Sequence, residues 1–169
     1  MTDRRTDHAR RKRVAEMTPE EMRQELLVDH KTGLPNRRAF DDGDETPFVA
    51  MCDVNGLKAF NDEFCYAAGD TLIKALAQIL SELGLDAYHN QGDEFLCKGP
   101  TFQELNRTLA RAQVRLRNQP IVFCVEGDRV ITKTGADFSF GIGTNLKEAE
   151  RSLKNQKEIL KASKDKTAG

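Results

Sequence analysis

Carboxylates occur at two places where the chain has the character of β-structure. Asp53 comes directly after the short apolar run 47–52, whose length suits a buried strand better than a helix. Asp93 and Glu94 lie in the tight turn between two short extended stretches. Hard cations such as Mg²⁺ prefer carboxylate oxygens and leave coordination positions for substrate phosphates. The two places therefore indicate a candidate magnesium site, although acidic residues at strand ends and turns are more commonly just solvated.

The elements that must position these carboxylates follow from apolar periodicity and from capping residues. Apolar side chains from residue 69 onward recur every 3.6 residues and predict a core-facing helix of about four turns. The other predicted elements are a helix from Thr18 towards Asp29, a hairpin at 85–98, a helix from Thr101, a second hairpin at 121–134 with its turn at 126–128, a strand at 138–142 and a helix capped by Asn145. This order predicts an α/β (α+β) fold in which helices flank a central mixed sheet.

Composition narrows the class of protein. The 169 residues carry 26 Lys and Arg against 27 Asp and Glu, so the chain lacks the basic excess of a nucleic-acid binder. No apolar run approaches the roughly 18 residues of a membrane helix. The four cysteines are widely spaced without a CxxC pair, which favours reduced thiols packed in the core. We therefore expect a cytoplasmic protein without a membrane or nucleic-acid partner. A nucleic-acid or membrane role stays open only for the basic residues 1–16, for which a solvated flexible arm is the favoured interpretation.

Five motifs in this order resemble the GGDEF domains of diguanylate cyclases, and five in order are far more specific than one. They are DHKTGLPNRR at 29–38, DVNGLKAFND at 53–62, GD at 69–70, QGDEF at 91–95 and FSFGIG at 138–143. The resemblance covers about residues 29–163 and implies a palm-like fold with a ferredoxin-like core. It divides the chain into a flexible arm (1–16), a lead-in helix (17–29), a GGDEF nucleotidyl-cyclase domain (30–163) and a tail (164–169).

The resemblance implies a reaction in which two GTP molecules, one from each protomer of a homodimer, are joined into cyclic di-GMP with release of pyrophosphate. Asp53, Asp93 and the backbone carbonyl of Val54 would hold two Mg²⁺ ions, with Mn²⁺ as a possible substitute. Asp93 and Glu94 of the signature would form the catalytic set together with Lys58, a cation near the metals.

The resemblance also assigns the substrate contacts. Asn61 and Asp70 would read the guanine edge, because a carboxylate can accept from both N1–H and the exocyclic amine of guanine, whereas adenine lacks this pair of donors. Gly92 of the signature would also belong to the substrate-binding residues. Lys157 and Lys161, four residues apart on one helix face, would contact the β- and γ-phosphates.

Each of these polar residues also has a purely structural interpretation. Asp70 suits a helix N-cap, Asn61 a turn, and Lys157 with Lys161 an exposed helix face. Taken singly, the structural interpretation is favoured for each residue. Taken together in family register, they favour nucleotide binding.

The sequence departs from the family at several positions. Gln91 replaces the first glycine of the signature, and we expect it to strain the turn or to crowd the phosphates and ribose. His89 stands where arginine is common, and Lys161 likewise replaces an arginine. Residues 81–90 contain no arginine, so the family's inhibitory product site is not expected.

Two alternatives to the cyclase remain open. One is a degenerate domain that binds GTP or cyclic di-GMP as a regulatory module without turnover, which Gln91 supports. The other is a palm-type enzyme that makes a different nucleotide product, because such a metal site suits any 3′–5′ nucleotidyl transfer.

Overall fold

Six helices and six strands make up the computed structural model, which describes residues 14–125 and 129–167. After a 3₁₀ turn at Val14–Glu16, the elements in chain order are α1 Pro19–Leu27, α2 Arg37–Asp42, β1 Phe48–Val54, α3 Leu57–Glu63, α4 Tyr66–Glu82, β2 Asp86–Gln91, β3 Glu94–Gly99, α5 Phe102–Asn118, β4 Ile121–Val125, β5 Arg129–Lys133, β6 Phe138–Gly143 and α6 Leu146–Thr167.

The central sheet has four strands in the order β2-β3-β1-β6, and β4 and β5 form a separate two-stranded sheet. The α+β class and the ferredoxin-like core are confirmed, because β1, the helices α3 and α4, β2, β3, α5 and β6 follow the β-α-β-β-α-β order. The prediction of a mixed sheet is wrong, since every pairing of the described strands is antiparallel. The helical crossover leaves β1 and β2 one strand apart, and β3 returns between them through a hairpin.

The two faces of β1 pack in different layers because side chains alternate along a strand. Ala50, Cys52 and Val54 join the larger core with α4 and α5, whereas Val49 and Met51 face a smaller cluster that includes Ala149 of α6. Asp53 therefore shares the face that α6 covers. The close approach of α6 depends on a glycine in β6, because a Cβ on Gly141 would collide with the backbone of the helix.

Local signals placed most elements correctly. Thr18 forms the predicted capping box, in which its hydroxyl accepts from the N–H of Glu21 at 3.2 Å and its own N–H donates to the Glu21 carboxylate at 2.8 Å. Thr101 and Asn145 cap α5 and α6 as predicted. The helix expected from residue 69 begins earlier, at Tyr66. Helices α2 and α3 were not predicted, because each is at most seven residues long.

Three of the sequence predictions lie partly or wholly outside the described residues. These are the arm (residues 1–13 of 1–16), the turn at 126–128 and the end of the tail (168–169). All four cysteines are free, with Cys52 and Cys97 buried, Cys65 half-buried and Cys124 exposed. Within residues 14–125 and 129–167, no helix is long and apolar enough to cross a membrane.

Candidate functional site

Two carboxylates face each other where β1 and β3 run side by side. Asp53 is paired with Glu94 in the β1–β3 register, so both side chains project from the face that α6 covers. Like charges directly opposite on neighbouring strands repel each other. Lys157 of α6 places its ammonium nitrogen 2.5 Å from Asp53 Oδ1, and the Asp53 side chain is only 18% exposed. The sheet thus concentrates negative charge that one lysine partly neutralises.

The signature turn is tied to the end of β1. Val54 donates its N–H to the carbonyl of Asp93 at 3.1 Å, which fixes the turn beside Asp53. Gly92 takes a positive φ of 54°, whereas Gln91 ends strand β2 and pairs with Glu94. The expectation that Gln91 strains the turn is therefore wrong, because the residue that needs positive φ is the second signature position. The Gln91 side chain is exposed.

A groove of about 360 Å³ runs along α6 beside these carboxylates. Its lining combines the apolar side chains of Met51 and Leu153 with three acidic and three basic ones, which are Glu94, Glu150, Glu158, Lys154, Lys157 and Lys161. The two lysines expected to contact phosphates therefore share one groove with a signature carboxylate. The third expected cation, Lys58, is exposed on α3 outside this groove.

Two polar residues that sequence reasoning missed hold Glu94 in place. Asn90 donates to Glu94 Oε2 at 2.7 Å, and Arg37 reaches Asn90 Oδ1 at 3.4 Å. Arg37 also contacts Asp41 at 2.9 Å. Arg37 lies within the first motif, but nothing in its spacing indicated a partner in β2.

The two expected base readers meet at the junction of α3 and α4. Asn61 packs so closely on Gly69 that a side chain at residue 69 would collide with the Asn61 amide. Among the described residues, Asn61 Oδ1 is buried without a hydrogen-bond partner. Asp70 follows Gly69 directly and lies inside α4, so it is not the N-cap that the structural interpretation required. Its carboxylate contacts Lys31, whose ammonium lies 2.6 Å from Asp70 Oδ1.

A buried histidine connects the first motif with the signature turn. His89 places Nδ1 3.0 Å from Asp29 Oδ1 and Nε2 3.1 Å from the carbonyl oxygen of Gly92. Burial alone would raise the pKa of Asp29, but hydrogen bonds from Thr32 and the contact with His89 hold that pKa below its ordinary value. His89 was noticed in the sequence only as a substitution for arginine, and its role as a bridge became visible in the fold.

The carboxylates at this site suit a cation whose coordination shell is completed by water or by a ligand. Among residues 14–125 and 129–167, no three His, Cys, Asp or Glu side chains form a ready metal cluster. Mg²⁺ commonly takes one or two carboxylates and fills its remaining positions with water and substrate phosphates. Asp53 and Asp93, at the joined ends of β1 and the turn, offer such a partial set.

A second depression of about 460 Å³ lies between α3 and the β4–β5 hairpin. It is lined by Phe60, Phe64, Lys133 and Asp137 among others, and it contains none of the predicted site residues. The carboxylates and lysines described above thus identify the candidate site better than cavity size does.

Comparisons with known proteins agree with the motifs. Residues 26–168 match the family described as diguanylate cyclase, GGDEF domain. Diguanylate cyclase VdcA of Vibrio cholerae is 36% identical over 90 residues, which cover 47% of this chain and 26% of VdcA. An uncharacterised Streptomyces griseus protein from the hutH 5′ region is 38% identical over 100 residues, covering 48% of this chain and 41% of that protein. The chain therefore spans less than half the length of these relatives.

Solved structures show the same fold. The coiled coil and GGDEF domain of DgcB from Caulobacter crescentus, in complex with c-di-GMP, superposes with a TM-score of 0.64 at 23% identity, covering 86% of this chain and 84% of that one. Diguanylate cyclase SiaD from Pseudomonas aeruginosa, bound to its activator SiaC, gives a TM-score of 0.66 at 21% identity, with coverages of 82% and 60%. The family match across most of the chain and this shared fold lead to one conclusion: the chain belongs to the GGDEF family of diguanylate cyclase domains.

Proposed function

We propose that this domain is a diguanylate cyclase that condenses two GTP molecules into cyclic di-GMP and releases pyrophosphate. The observation that carries the proposal is the pairing of Asp53 with Glu94 beside Lys157. Two opposed carboxylates with one lysine favour the binding of a further cation. The groove beside them has a mixed lining in which Lys154, Lys157 and Lys161 alternate with glutamates, so its lysines can meet phosphates once a cation offsets the acidic side chains. GTP bound to magnesium supplies both the cation and the negatively charged phosphates.

Glu94 adds negative charge next to the metal ligands in this proposal, because it is paired with Asp53 and follows Asp93 directly. Asp53 and Asp93, with the carbonyl of Val54, would hold Mg²⁺, which would supply charge stabilisation for the phosphates during attack by the 3′-hydroxyl. Lys157 lies within reach of both Asp53 and the groove, so its ammonium neutralises the carboxylate in the free protein and can turn to phosphate oxygens in the complex. Lys161 lies one helical turn further along the same groove.

The base is held at the junction of α3 and α4, and α4 packs on the face of the central sheet opposite α6. Asp70 accepts from the N1–H and amine of guanine. Asn61, whose carbonyl oxygen is buried without a partner among the described residues, would reach the base by turning its amide in place over Gly69. The reaction needs two such substrates face to face, so we propose a homodimer in which each protomer presents one GTP. Formation of product then rises more steeply than linearly with protein concentration while the dimer is incompletely formed.

Gln91 favours a second candidate function. Its exposed side chain directly precedes the Gly92 turn, where it can meet the ribose or phosphates of a bound nucleotide. A domain that holds GTP or cyclic di-GMP without turnover would tolerate such a side chain. Because the Gln91 backbone is extended, the side chain alone can interfere, and its removal should restore the rate.

The test is incubation of the parent protein with labelled GTP and Mg²⁺, followed by separation of products at several protein concentrations. We expect cyclic di-GMP from the parent, none from Asp53→Asn, and an equal or higher rate from Gln91→Gly. Glu104→Gln is the matched control, because it makes the same change at an exposed carboxylate near the opposite end of β3. Binding of GTP without product in both the parent and Gln91→Gly would refute the enzyme and favour the binding module, and a different product would identify another palm-type cyclase.

A further inference from the structure

Lys31 contacts the carboxylate that is proposed to read the guanine base. Its ammonium nitrogen lies 2.6 Å from Asp70 Oδ1, although 39 residues separate the two in the chain. The Lys31 and Asp70 side chains are 39% and 45% exposed, so a ligand can reach them both. The ion pair places a residue of the loop between α1 and α2 at the proposed base site.

The backbone of this loop is held in place. Asp29 Oδ1 accepts from the N–H of Thr32 at 2.9 Å and from its hydroxyl at 2.7 Å. The backbone carbonyl of Asp29 also accepts from the N–H of Gly33, and the Asp29 N–H donates to the carbonyl of Leu34, both at 2.8 Å. Lys31 therefore projects from a fixed turn, while its long side chain can still adjust to a ligand.

The pair matches the order of polar groups on guanine. The base edge presents two donors, the exocyclic amine and N1–H, followed by the acceptor O6. A carboxylate has about four lone-pair positions, so the ammonium on Oδ1 leaves room for two base donors. When Asp70 accepts from the amine and N1–H, O6 lies next to the oxygen that receives N1–H. With Oδ1 as the oxygen that receives N1–H, the Lys31 ammonium bound to Oδ1 is placed to donate to O6.

We propose that Lys31 is a specificity-determining residue that donates to O6 of guanine while it stays beside Asp70. This inference rests on the proposed binding of GTP. Adenine is disfavoured twice by this arrangement, because its N1 acceptor meets the carboxylate and its amine donor meets the ammonium. Lys31 thus adds to the discrimination that Asp70 and Asn61 provide.

Calorimetry with two unreactive nucleotides tests the role of Lys31. The probes are the α,β-methylene analogues of GTP and of 6-thio-GTP, which share N1–H and the amine but differ in that sulfur accepts hydrogen bonds weakly. The parent should bind the oxygen analogue about two- to twelvefold more tightly, as loss of one hydrogen bond implies. Lys31→Met should remove this preference. Lys74→Met is the matched control, because Lys74 is an exposed lysine one helical turn after Asp70, and this variant should keep the preference.

Two outcomes would overturn the inference while leaving GTP binding intact. One is an unchanged preference for the oxygen analogue in Lys31→Met. The other is tighter binding of the GTP analogue by Lys31→Met than by the parent, which would mean that Lys31 competes with the base for Asp70. Failure of the parent to bind either analogue would instead refute the proposed GTP site, and the role of Lys31 with it.

Discussion

The substitution Gly69→Ala should disturb the proposed base site while leaving the stability of the fold nearly unchanged. Residue 69 lies inside α4, where alanine is favoured over glycine by about 1 kcal/mol. The new Cβ would collide with Oδ1 and Cγ of Asn61 and lie 3.1 Å from its Nδ2. These are side-chain atoms, so Asn61 can rotate away at a cost of about 0.5–1.5 kcal/mol. The two effects nearly cancel, and we expect the free energy of unfolding to change by less than about 1 kcal/mol.

The same rotation should weaken nucleotide binding. If Asn61 contributes one hydrogen bond to the base, its displacement costs about 0.5–1.5 kcal/mol, a two- to twelvefold rise in the Kd of the unreactive GTP analogue. Urea unfolding and calorimetry on the same samples measure the two quantities. Asn61→Ala provides the control in a double-mutant cycle, because Gly69→Ala should have no further effect on the Kd once the amide is gone.

Two results would refute this reasoning. An unchanged Kd in Gly69→Ala would show that Asn61 does not read the base. An equal loss of affinity in the Asn61→Ala background would show that the alanine acts through some other contact.

Two further predictions concern stability. Gly141→Ala should destabilise the protein by at least about 1–3 kcal/mol in urea unfolding, because its Cβ meets the backbone of α6 and no side chain can rotate aside. Asp29→Asn should be less stable than the parent above about pH 4, because a carboxylate whose pKa is lowered by folding stabilises the native state only when ionised. That difference should shrink as the pH falls through the lowered pKa of Asp29, which thermal unfolding at a series of pH values would show.

Either stability prediction can fail in a clear way. A Gly141→Ala protein as stable as the parent would mean that α6 shifts easily on β6. A difference between Asp29→Asn and the parent that is the same at low and neutral pH would mean that the hydrogen-bond geometry around Asp29, rather than its charge, stabilises the loop.

The sequence by itself determined features that depend on nearby residues. The capping box at Thr18 and Glu21 joins residues three apart, and the amphipathic period of α4 is a property of one helix, so both could be predicted without a fold. The five motifs also indicated which residue types belong to the site. The short helices α2 and α3 were not predicted, because a segment of six or seven residues is too short to show a helical period of apolar residues.

Only the tertiary structure decided which of these residues meet. The antiparallel order of the sheet places Asp53 opposite Glu94, and no local pattern specifies which strands become neighbours. The contact between Lys31 and Asp70 could not be predicted either, because 39 residues separate them in the chain. The structure also showed that Gln91 belongs to strand β2 rather than to the turn. Contacts of this kind arise when distant segments pack around a common core, so their partners follow from the topology rather than from sequence spacing.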